Sequence, residues 1–103
     1  MNLPKQLIQS LTAGTRVVWQ ADQSGTCQIQ ADSPVTWPTS LVLDIQVGYN
    51  GIDFFVPSGF SSLQFTANGL CSPFEVRKGQ FISVAVNTVS ATDALIEITP
   101  NIG

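Results

Sequence analysis

Asp44 and Asp53, both within the run LVLDIQVGYNGIDFF, are the acidic residues that come nearest to a catalytic pair. Two carboxylates held about 5–9 Å apart across a cleft can divide acid and base roles between them. Strand parity puts both on the outward side of one hairpin, diagonally offset on an open sheet, so they read as a solvated surface pair. The chain has no histidine, which excludes Ser-His-Asp and Cys-His nucleophiles, histidine metal centres and a histidine pH switch. Cys27 and Cys71 stand far apart and form no CxxC pair, so with no histidine they complete no usual zinc set. Buried free thiols are the favoured reading and a disulfide is the alternative. The stretch ADQSGT around Asp22 offers oxygen ligands but lacks the spacing of a calcium loop, and a plain glycine turn accounts for it. The glycines spell neither GxGxxG nor GxxxxGK, and no cofactor is implied. The sequence therefore carries no enzyme's signature.

The elements that would position these residues are strands. Period-two alternation runs through TCQIQA (Cys27, Ile29, Ala31), LVLDIQV (Leu41, Leu43, Ile45, Val47) and LQFTA (Leu63, Phe65, Ala67). It continues in FEVRK (Phe74, Val76), FISVAVNT (Ile82, Val84, Val86) and ALIEI (Ala94, Ile96, Ile98). One dry and one wet face per strand is what such alternation encodes. Turn chemistry falls between the runs, at Ser24-Gly25, Ser33-Pro34, Asn50-Gly51, Asn68-Gly69 and Lys78-Gly79. About eight short strands punctuated in this way predict an all-β antiparallel sandwich, jelly-roll-like, with immunoglobulin-like strand order left open. Residues 14–103 form that single domain; residues 1–13 are an N-terminal arm or a first strand.

Asn50-Gly51 suits a two-residue type I′ turn. The implied register sets Tyr49 opposite Ile52, Val47 opposite Phe54 and Ile45 opposite Val56, matching apolar partners on one face. Phe55 then lands on the polar face beside Gln46, with Val42 on the same face. Phe81 breaks pattern in the same way among Ser83, Ala85 and Asn87. Outward apolar side chains of this kind call for a partner or for cover from the same chain.

Charged residues are only 11% of the 103, and the net charge is −3. Four cations, Lys5, Arg16, Arg77 and Lys78, are too few to neutralise a nucleic-acid backbone. No run approaches the roughly eighteen apolar residues of a membrane span, and MNLPKQLIQSL lacks the apolar stretch of a signal peptide. A surface built from Gln, Ser, Thr and Asn solvates well yet repels neighbours weakly, which favours self-association.

The segments GTRVVWQADQSGTCQIQ, TWPTSLVLDIQVGYNGIDFF and FEVRKGQFISVAVNTVSATDALIEITP resemble small virion accessory proteins of tailed bacteriophages. The matching features are Trp37-Pro38, the strand from Leu43 to Gln46, the Asn50-Gly51 turn and the late strand after Lys78-Gly79. The resemblance implies a capsid decoration or cement protein, made in the host cytoplasm and resident in the virion. It implies a homotrimer bound to the major capsid protein, with no nucleic-acid or membrane partner. On that reading Val42, Phe55 and Phe81 pack the oligomer, and an arm carrying Leu3, Leu7, Ile8 and Leu11 docks on the scaffold. The alternative is a carbohydrate- or receptor-binding module of a phage tail or adhesion protein, with Trp19, Trp37 and Tyr49 lining an aromatic groove.

Overall fold

Each alternating run becomes a strand whose apolar side meets a second sheet. The structure is a computed structural model that describes residues 2–9, 12–34, 36–38, 40–88 and 95–103. Its strands are β1 (Gln6–Gln9), β2 (Arg16–Gln20), β3 (Gly25–Asp32), β4 (Val42–Gly48), β5 (Gln64–Phe65), β6 (Gly69–Leu70), β7 (Phe74–Val76), β8 (Phe81–Thr88) and β9 (Leu95–Ile102). One sheet runs β1-β9-β3-β6, with β7 also on β3; the other runs β2-β8-β4-β5. All the pairs are antiparallel, and they are nested: first with last, second with second-last, and inward to β4 with β5. Successive nested pairs fall in alternate sheets, as if one long hairpin had been rolled up. That order is a jelly roll.

The core lies between the sheets. Ile29 and Ala31 of β3 and Ile96, Ile98 and Ile102 of β9 face Leu43 and Ile45 of β4 and Ile82, Val84 and Val86 of β8, and all are buried. Trp19 closes one side, its indole N–H donating to Pro4 O at 2.6 Å. Pro100 sits inside β9, where its carbonyl accepts from Leu3 N at 2.9 Å. Its ring nitrogen therefore points to the same flank, beyond the end of β1, and no ladder bond with β3 is lost.

One expectation is corrected here, and one left open is resolved. Residues 41–56 do not form a two-residue hairpin. The neighbour of β4 along its length is β8, with Leu43 opposite Val86, Ile45 opposite Val84 and Val47 opposite Ile82. These partners satisfy the same parity that favoured residues 52–56, so a distant strand wins the position. Val47 bridges Phe55 instead of Phe54. Nor is Asn50 at positive φ, as a type I′ turn requires; only Gly51 is, at φ 74.

The N-terminal segment is a strand and not a docking arm. Leu3 and Ile8 are core residues, β1 pairs with β9, and the Gln6 amide donates to Val18 O of β2 at 2.8 Å. Residues that fill the core are not free to seat on a scaffold. Of the proposed arm contacts only Leu7 is exposed, and Leu11 lies outside the described residues. Ile8→Ala is expected to cost about 2–5 kcal/mol in chemical denaturation, because it opens a cavity against Ile96; a loss below about 0.5 kcal/mol would show that β1 is only loosely attached.

Candidate interaction surface

The β4–β5 connection is shaped by one missing Cβ. Gly48 ends β4, and a Cβ there would stand 2.1 Å from the Asp53 carbonyl oxygen. Glycine lets the chain turn back on itself at this point. Asn50 then fixes the bend: its Oδ1 accepts both Ile52 N and Asp53 N at 2.9 Å, and its amide donates to Asp53 Oδ2 at 3.0 Å. Val47 N donates to Phe55 O at 2.8 Å, and Phe55 N donates to Val47 O at 2.7 Å, closing the loop.

This fold-back sorts the aromatic residues. Phe54 is half-buried, with the Arg16 guanidinium 4.4 Å from its ring centroid. Arg16 is held there by donating from Nη1 to Ser83 Oγ at 2.7 Å and to Gln46 Oε1 at 3.3 Å. A Cβ at Gly51 would lie 3.5 Å from the ring of Phe81, so the loop passes close to this half-buried residue. Left outside are Tyr49 (76% exposed), Ile52 (80%) and Phe55 (65%), with Val56 beside them. They form an apolar tip at the end of the sandwich that also carries the β2–β3 and β7–β8 turns.

The three expected oligomer contacts are not one patch. Val42 pairs with Thr88 at the start of β4, and Phe81 pairs with Gly48 at its end, about 20 Å away at the usual strand rise. The aromatic groove is not assembled either. Trp19 is buried under Pro4, and half-buried Trp37 packs on the core with its indole N–H donating to Leu41 O at 3.2 Å. Tyr49 alone of the three is exposed. Ile52 was not foreseen as part of this surface, because the assumed hairpin paired it with Tyr49.

Two recesses accompany the tip. A cleft of about 670 Å³ beside it has Val47, Val76 and Gln80 on its floor and Tyr49, Ser58 and Arg77 at its lip. The Gln80 Oε1 accepts Arg77 N at 3.0 Å. The second, of about 540 Å³, lies over the outer face of the β1-β9-β3-β6 sheet and is lined by amides and charged groups such as Gln30, Asp32, Glu97 and Asn101. Its side chains are largely engaged with one another, as in the Gln30 to Asp32 hydrogen bond and the Lys5–Glu97 ion pair at 3.3 Å.

The remaining chemical candidates have structural duties. Asp44 accepts from Gln64 and Asn87, both at 2.7 Å, whereas Asp53 belongs to the Asn50 turn, so the two carboxylates serve separate networks. Ser24 of ADQSGT accepts Lys78 N at 2.9 Å and clamps the β7–β8 turn. Among the described residues no three His, Cys, Asp or Glu side chains gather in a metal-binding group. Cys27 and Cys71 are free and buried. Burial, and secondarily the neighbouring Cys71, pushes the Cys27 thiol up to about 12. Burial also raises Cys71, opposed by the backbone N–H of Ile29. Neither thiol is poised as a nucleophile at neutral pH.

Comparison with protein-family models, curated proteins and solved structures returns no match. What the tip can contact is set by its own geometry.

Gly48→Ala is the sharpest probe of that geometry. The new methyl forces the Asp53 carbonyl away, and the expected loss is about 1–3 kcal/mol in denaturant melts, as for overpacking. A variant as stable as the parent would mean that the loop does not fold back on β4.

Proposed function

We propose that the protein is a non-enzymatic virion structural module, a capsid decoration or cement protein that self-associates and binds the assembled shell of major capsid protein. One observation carries the reading: a braced tip that gathers Tyr49, Ile52, Phe55 and Val56, four of the six exposed large hydrophobic side chains among the described residues. Loose hydrophobes on a surface are ordinary, but several exposed on one braced loop mark a contact site. Fully burying a side chain such as Ile52 or Phe55 supplies about 1.5–3 kcal/mol. Because Val47–Phe55 and the Asn50 turn already hold the loop, little ordering cost opposes that gain. Jelly rolls recur in viral capsid proteins and in lectins, so the fold agrees with this role without selecting it.

A cement acts by binding the closed shell in preference to its separated subunits, which stabilises the shell by mass action. Many identical sites make a modest contact effective. The homotrimer and the capsid site follow from the resemblance to phage accessory proteins. The carbohydrate- or receptor-binding alternative loses its support where Trp19 is buried.

Light scattering after size exclusion should give a trimer mass for the parent, and sedimentation with cognate capsid shells should carry it into the pellet. Phe55→Asp should lower the association constant about tenfold or more, because it places an unpaired charge at the contact. A parent that stays monomeric and fails to pellet with shells would remove this function.

A further inference from the structure

Resting on this self-association reading, we infer that the apolar tip of one copy docks in the cleft beside the tip of a second copy, with Asp53 of the one facing Arg77 of the other. The two surfaces are complementary in shape and in polarity. The tip projects Ile52 and Phe55 into solvent; the cleft is concave, with Val47 and Val76 on its floor. Of the polar floor residue Gln80, the Oε1 is already taken by Arg77 N, and its amide nitrogen is left to bond across the contact.

The charges agree. Asp53 is exposed on the tip and Arg77 is exposed on the lip, and neither makes an ion pair with a described residue; Lys5–Glu97 is the ion pair among them. The other charge on the lip, Glu75, is engaged by the Thr26 hydroxyl at 3.3 Å. Arg77 is thus the cation on the lip, and Asp53, which also accepts the Asn50 amide at 3.0 Å, is the acid on the tip.

Area points the same way. Three largely exposed side chains offer on the order of 400 Å², about half of the roughly 800 Å² that each partner contributes to a stable interface. Docking on a flat surface would leave the contact short. The cleft walls close around the tip and supply the rest. Tip and cleft adjoin at Tyr49 but present different groups, one convex and one concave, so each copy offers both halves of the contact.

Charge exchange tests this. Asp53→Arg and Arg77→Asp are made singly and together, with circular dichroism to verify the parent fold, and association is followed by light scattering across a dilution series. Each single variant should weaken association by about tenfold or more, since like charges then meet; the double variant, with the pair restored in reverse, should recover the parent's mass. If the parent associates while the single variants match it, or if the double variant is no better than the singles, this docking is wrong although self-association stands. If the parent is monomeric at every concentration, the self-association reading fails along with it.

Discussion

The reciprocal backbone bonds between Val47 and Phe55 are the constraint on which the surface depends. They are possible only because Gly48 presents no side chain to the Asp53 carbonyl. With that closure made, Phe54 is placed next to Arg16 and Phe55 faces water, and Gly51 passes near the Phe81 ring. A loop of this length left untethered would sample many conformations, and its hydrophobes would gain little on binding after the cost of ordering. The tethered loop presents them already ordered.

The jelly roll supplies the platform. Nesting of strand pairs places β4 centrally, bounded by β8 on one flank and by Phe55, Leu63 and β5 on the other. The low charge content is accommodated by amide networks on the outer faces: Gln64 and Asn87 on Asp44, Gln30 on Asp32, and Asn101 on Asn2. Such networks solvate a sheet without surrounding it with like charge, which leaves the molecule able to approach its own copies.

Side-chain parity made much of the fold legible. TCQIQA, FISVAVNT and LVLDIQV became β3, β8 and β4 with the expected residues inward, because burial of one face leaves the register of a strand little freedom. What parity cannot choose is the partner. Val47 opposite Phe54 and Val47 opposite Ile82 look alike in sequence, and only the closed sandwich selects β8. The same blindness hid the extension of β9 through Pro100, which is permitted because its nitrogen faces a flank that β1 has left. It also left open whether residues 1–13 formed an arm or a first strand; Leu3 and Ile8 are buried in the core, and residues 6–9 are the strand β1. The surface was half visible. Phe55 was singled out through a register that set it beside Gln46, whereas it lies opposite Val47 and Phe54 takes the side of Arg16 and Gln46. Ile52 required the fold-back, which rests on the closeness of a glycine and a carbonyl that no hydrophobic pattern records.

The fold-back can be tested at the atoms that define it, by amide proton contacts and hydrogen exchange in solution NMR. A direct amide–amide contact between Val47 and Phe55, with slow exchange at both and at Ile52 and Asp53, is the expected result. A contact of Val47 with Phe54 in its place, with Ile52 and Asp53 exchanging freely, would restore the simple hairpin and contradict the account of how the tip is built.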